Sequence, residues 1–231
     1  MSNKNIVAIG GGGFGRSLGD LIIERYIVSL TNKERPKICF IPTASGDNNQ
    51  YKLNFYRAFG KLNCLTTHLD FFSRTCDLEE KILSQDIIYV GGGNTKSMLA
   101  VWRDWDFDVV LQKAYNSGII MSGVSAGAIC WFTNGITDSW ETDLKILPCL
   151  DIIKATCCPH YDEEPSRIPY VKKILLEEKI TNCISIEGGS AMHFVDGQPF
   201  KNVSFKNNKN SYNVYLDNNK FIQKQYTSWQ L

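Results

Sequence analysis

Apolar residues in this chain gather in short unbroken runs, and amphipathic stretches separate one run from the next. Residues 5–9, 37–41, 65–69, 86–90 and 119–121 are apolar or β-branched with little polar alternation. That pattern predicts strands buried on both faces. Between them, residues 18–30, 47–59, 77–83, the stretch after Asn94-Thr95, and residues 107–116 carry helical spacing. Asp47 or Asn48 is placed to cap the second helix, and Asp77-Leu78-Glu79-Glu80 has the form of a capping box. Gly60 and Gly118 stand where helices stop. A sixth strand-like run covers 152–157, a helix is expected over 168–178, and a further strand over 183–186.

Past residue 190 the rhythm changes. Residues 191–195, 203–205, 212–216 and 221–225 are short runs broken by Asp196-Gly197, Asn207-Asn208 and Asp217-Asn218-Asn219. These breaks are turn signals and predict antiparallel strands extending one edge of the sheet. The expected fold is α/β, a doubly wound and mostly parallel sheet with C-terminal antiparallel strands, in a single domain over residues 1–231.

Composition narrows the function classes. With 231 residues, 43% hydrophobic and 21% charged, the chain can bury a real core without staples. Lys+Arg of 25 against Asp+Glu of 24 leaves a net charge of +1, which gives no footprint for nucleic acid or for a membrane surface. No run approaches the ~18 apolar residues of a membrane span. Ile6-Val7-Ala8-Ile9 is too short for a secretory core of roughly 7–15 residues, so a cytoplasmic protein is expected. Eight cysteines, most of them single within apolar runs, read as reduced core thiols. Cys157-Cys158 with His160 resembles half a metal site, but no second pair completes it, and neither metal nor organic cofactor is expected.

Candidate chemistry centres on Gly123-Val124-Ser125-Ala126-Gly127, a GxSxG between a strand and a helical pattern. So tight a turn strains Ser125, leaves its hydroxyl exposed at the carboxyl edge of the sheet, and aims the Ala126 N–H at a developing oxyanion. A nucleophile needs a base, and the chain offers His68, His160 and His193. His160 follows a strand and Pro159, at the kind of strand end where α/β sheets hold ligands. Asp138, Glu141, Asp143 and Glu187 are candidates for the acid that orients the base, with Asp162 too near in sequence to be the obvious partner; spacing alone does not choose among them. The loops Gly10–Gly13 and Gly91-Gly92-Gly93 could present backbone N–H groups to an anion, but neither has the full form of a nucleotide fingerprint.

Taken in order, the N-terminal glycine loop, Ile41-Pro42-Thr43-Ala44-Ser45, Val90-Gly91-Gly92-Gly93-Asn94-Thr95, Gly123-Val124-Ser125-Ala126-Gly127-Ala128 and Pro159-His160 resemble the peptidase E family, the S51 serine peptidases, from residue 6 to about 187. The resemblance implies a fold related to class I glutamine amidotransferases. It implies Ser125 as nucleophile, His160 as base and Glu187 as acid, with Asp138 second. Oxyanion donors would be the N–H groups of Ala126 and of Gly92 or Gly93. Arg167 matches an arginine that lies near the substrate's acidic side chain; a second arginine of the family pattern is replaced here by Tyr170. The implied activity is hydrolysis of short peptides, of the aspartyl dipeptidase type, without a cofactor, by a monomer or homodimer whose partner is a small peptide substrate. A cyanophycinase-like hydrolase and a non-catalytic nucleotide- or small-molecule-binding module are the other readings.

Overall fold

The structure is a computed structural model that describes residues 3–140 and 143–231. Its first half alternates as the apolar runs predict: β1 (Asn5–Ile9), α1 (Ile22–Ser29), β2 (Lys37–Ile41), α2 (Asn49–Gly60), β3 (Leu65–His68), α3 (Leu78–Leu83), β4 (Ile87–Val90), α4 (Thr95–Asp104), α5 (Phe107–Asn116) and β5 (Ile120–Val124). These strands lie side by side as β1-β5-β4-β2-β3, all parallel. Alternate residues of β1 serve opposite faces. Val7 and Ile9 pack with α1 and α2, while Ile6 and Ala8 pack with α4 and α5. Both faces are therefore covered, as continuous apolar strands require.

One predicted cap forms, at Asn48; another, at Asn94, forms where none was expected; and the one predicted at Asp77 does not form. The Asn48 and Asn94 side chains accept from Tyr51 N and Ser97 N, both at 2.9 Å. Asp77 instead takes a left-handed conformation and caps nothing. Leu21 does the same ahead of α1, which starts that helix four residues later than its apolar pattern suggests.

The second half departs further. After a four-residue helix, α6 (Ala126–Ile129), the chain enters β6 (Phe132–Thr137), β7 (Lys145–Pro148), β8 (Ile153–Cys158), α7 (Arg167–Leu176) and β9 (Asn182–Ile186). Then come β10 (Ser190–Val195), β11 (Gln198–Ser204), β12 (Ser211–Asp217), β13 (Lys220–Gln225) and β14 (Ser228–Gln230). The antiparallel tail does not extend a single edge. β10, β11 and β14 continue the first sheet beyond β1, whereas β12 and β13 join a second sheet ordered β13-β12-β9-β8-β6-β7. Within that sheet β6, β8 and β9 are parallel. One face of it shares a core with the first sheet through Phe132, Cys157, Ile184 and Ile186. The other face is covered by Val171, Ile174 and Leu175 of α7.

Candidate active site

Because β4, β5 and β1 are parallel neighbours, the loops that follow them open at one edge of the sheet. Gly91-Gly92-Gly93, the Ser125 turn and Gly10–Gly13 thus converge. Ser125 sits at φ 57°, ψ −110°, a strained conformation outside both helix and strand. Its flanking glycines are compulsory. A Cβ on Gly123 would run into the carbonyl of Gly127, and one on Gly127 into the carbonyl of Val90.

His160 reaches this edge from the second sheet, just past β8. Its backbone is left-handed, at φ 50°. Its N–H donates to Gly10 O at 3.1 Å, beside the Ser125 N–H that donates to Ile9 O at 3.0 Å. Nucleophile and base are thus hung from consecutive carbonyls at the end of β1. The Ser125 hydroxyl lies 2.9 Å from His160 Nε2.

The carboxylate behind His160 is Glu163, with Oε2 at 2.6 Å from Nδ1. The turn after His160, in which the Glu163 N–H donates back to the His160 carbonyl at 3.1 Å, folds the side chain three residues on under the imidazole. With Glu163 ionised, Nδ1 carries the ring proton, and Nε2 is left to accept from the serine. The other Glu163 oxygen is paired with Arg16. Burial pushes the Glu163 carboxyl up, but the hydrogen bonds from Arg16 and His160 outweigh it and hold the group below its ordinary value. Gly11 and Gly188 border the pair. A Cβ on Gly11 would lie 2.7 Å from Glu163 Oε2 and 2.8 Å from His160 Nδ1, and one on Gly188 would collide with the Glu163 carboxylate. Gly11, from the glycine loop singled out in the sequence, and Gly188 thus serve as clearance for the hydrogen-bonded His160–Glu163 pair.

The expected acid lies elsewhere. Glu187 ends β9, but its carboxylate turns toward the second sheet, accepting from Asn210 N at 2.8 Å and from the Tyr212 hydroxyl at 3.3 Å. Asp138 and Asp143 are exposed on the loop after β6, and Glu141 lies outside the described residues. Asp162 binds Gly188 N at 2.8 Å and Lys209. Glu163 escaped the sequence reading for the reason Asp162 was set aside, nearness to His160; the signal for it was a His-x-x-Glu spacing across a tight turn.

Arg167 also departs from expectation. It is 3% exposed and points inward, donating from Nε to Glu164 at 2.7 Å and from Nη1 to Ile136 O at 2.9 Å. The cation that lines the cleft is Arg16, on the glycine loop after β1, with half its side chain exposed. That cleft, about 260 Å³, is bordered by Gly12, Arg16, Tyr51, Gly92, Ser125 and His160. Gly93 has a φ of 141°, and a Cβ there would run into the Ala44 carbonyl. The remaining histidines are engaged elsewhere. His68 meets the Tyr56 hydroxyl at 2.6 Å, and His193 is buried between Tyr26 and Asn5. Cys157 and Cys158 face opposite sides of β8 and enter different cores, so the two thiols do not converge with His160.

A strained serine at a strand-to-helix turn, backed by histidine and carboxylate, defines a hydrolase of the serine type. The sequence model of peptidase family S51 matches residues 6–201, and the chain belongs to that family of serine peptidases. The uncharacterized peptidase YgaJ of Bacillus subtilis (strain 168) is 39% identical over 214 residues, covering 92% of this chain and 93% of its own. The uncharacterized peptidase Lmo0363 of Listeria monocytogenes serovar 1/2a is 28% identical over 168 residues, 68% of this chain and 80% of its own. Among solved structures, a peptidase from an acI-B1 Actinobacterium shares the fold, with a TM-score of 0.70 at 18% identity over 98% of this chain and 95% of its own.

Proposed function

We propose that this peptidase cleaves dipeptides or similarly short peptides through a Ser125–His160–Glu163 triad, with preference for an acidic residue on the amino side of the scissile bond. The observation that carries the reading is the file of contacts at the cleft floor: hydroxyl to Nε2 at 2.9 Å, and Nδ1 to carboxylate at 2.6 Å. His160 takes the Ser125 proton as Oγ attacks the carbonyl carbon, and Glu163 stabilises the resulting imidazolium. The oxyanion is held by the N–H groups of Ala126 and Gly92. Collapse breaks the C–N bond as His160 protonates the leaving amine, and water then hydrolyses the acyl-enzyme.

Cleft size and charge support the substrate class. A volume of about 260 Å³ falls below the roughly 300–1,000 Å³ of drug-sized ligand pockets, which suits one or two residues rather than an extended chain. Arg16 keeps donors to spare beyond its pairing with Glu163, since a guanidinium has five. One of them can meet a substrate carboxylate.

The experiment is a dipeptide panel of Asp-X, Ala-X, Ser-X and β-aspartyl isopeptides, run beside labelling by a fluorophosphonate. Labelling of the wild type and not of Ser125→Ala, with Asp-X turned over fastest, is the expected result. A labelled protein that cleaves only the isopeptide, or no dipeptide, overturns the substrate class. A protein that is not labelled overturns the serine mechanism and leaves the binding-module reading.

A further inference from the structure

The aromatic wall of the cleft holds a group that this mechanism has not used. Tyr51 lies in the first turn of α2, whose start is pinned by the bond from Tyr51 N to the Asn48 side chain. Its ring passes between two glycine loops. A Cβ on either Gly15 or Gly91 would lie 2.9 Å from the ring, so both loops are open at the points where the ring runs. Phe40 meets the ring edge-on at a centroid distance of 4.9 Å, and Phe14 packs against it at 5.4 Å. Held in this way, the ring delivers its hydroxyl to the cleft that Ser125, Gly92 and His160 also border.

The hydroxyl is half used. Gly92 N–H approaches it at 3.4 Å, a long contact in which the tyrosine oxygen accepts. No acceptor for the tyrosine proton is present among the described residues. Burial pushes the phenol up to about 12, so the proton stays in place at neutral pH. A part-buried O–H with a free proton in a catalytic cleft is an incomplete hydrogen bond, and such a donor gains most from a charged acceptor.

We propose that Tyr51 is a catalytic residue, donating its O–H to the oxyanion that forms when Ser125 attacks. The proposal rests on the serine-peptidase reading above and adds a side-chain donor to the two backbone ones. As the Oγ–C bond forms, the carbonyl π pair moves onto oxygen and the serine proton moves to His160 Nε2. The new O⁻ then takes the place of the tyrosine oxygen as acceptor for Gly92 N–H and accepts from Tyr51 O–H as well. On collapse the pair returns to re-form the carbonyl, and Tyr51 keeps its proton throughout. The neutral hydroxyl binds a ground-state carbonyl weakly and the oxyanion strongly, which is the differential that lowers a barrier.

Tyr51→Phe removes one oxygen and leaves the ring between its glycines. Loss of one oxyanion donor costs on the order of 10²–10³ in kcat, with KM nearly unchanged. A peptide aldehyde, whose hemiacetal oxygen occupies the same place, is expected to lose affinity by about the same factor. A kcat within threefold of wild type overturns the proposal. So does a loss confined to KM, which would make Tyr51 a ground-state contact only. Fluorophosphonate labelling separates the two levels: if Ser125 in the wild type is not labelled, the mechanism falls, whereas a labelled and active wild type with an unimpaired Tyr51→Phe removes only Tyr51.

Discussion

Glu163→Gln is the sharpest test of the catalytic file, because the structure dictates how the new amide will sit. Gln and Glu have the same shape, so the side chain stays under the imidazole. Its two ends are no longer equivalent. Arg16 offers only donors, so it selects the amide oxygen and leaves the NH₂ facing His160 Nδ1, where Glu163 Oε2 now accepts at 2.6 Å. Two donors cannot share that contact. The ring must move its proton to Nε2, and Nε2 is then unable to accept from Ser125. An amide at the orienting position of a serine triad costs about 10⁴ in kcat, or roughly 5.4 kcal/mol at 1.36 kcal/mol per decade. The same change at Glu187 cuts a carboxylate that only ties Asn210 and Tyr212, and it is expected to leave kcat within about threefold. Steady-state kcat on the best dipeptide, with fluorophosphonate labelling rates as a second readout, compares the two variants directly. A Glu163→Gln enzyme within tenfold of wild type, beside a Glu187→Gln enzyme down by 10³, would refute the assignment and restore Glu187.

Arg167→Ala leaves the buried Ile136 carbonyl unpaired and strips Glu164 of its cation, so chemical denaturation should show a loss of about 2–4 kcal/mol; a selective loss on Asp-X over Ala-X would instead return Arg167 to the substrate. Gly11→Ala places a methyl against both His160 and Glu163, and is expected to lower kcat by at least tenfold, a single decade of barrier, while the far-UV circular dichroism spectrum holds; full activity would show that the loop can yield. His193, which burial and then Lys201 hold at about 4, stays neutral in the folded protein while the unfolded chain takes up a proton below about 6.5. Its contribution is present in full above pH 6.5 and is lost as the pH falls toward 4, about 3 kcal/mol over the window. Melting curves at pH 7, 5.5 and 4.5 should slope accordingly and flatten in His193→Gln, and parallel curves would exclude this source.

Much of the first sheet was legible because each strand is buried on two faces and each connecting helix on one. Those demands write different periods into the sequence. The Asn48 cap could be read for the same local reason. The second sheet was hidden where α6 runs into β6. Ile129, Cys130, Trp131 and Phe132 all lie in the interior between the sheets, so no polar face marks where helix gives way to strand. Ser125 and His160 announced themselves through backbone demands, a glycine-flanked turn and a proline-led strand end. Glu163 and Arg16 did not, because their roles depend on how a left-handed residue and a glycine loop bring side chains back across the cleft. Arg167 shows the converse. A motif can fix a position along the chain without fixing which way the side chain points, and this one points at Ile136.

The suspension of Ser125 and His160 from adjoining carbonyls of β1 has a mechanical consequence. Neighbouring residues in a chain are about 3.8 Å apart and rigidly linked. The two reactive side chains, although they belong to different sheets, are thus anchored within one peptide unit of each other. Both groups therefore take their position from one stretch of backbone at the end of β1. The hydroxyl-to-imidazole spacing is set at that shared anchor, so a substitution elsewhere in either sheet reaches the reactive pair only if it displaces Ile9 or Gly10.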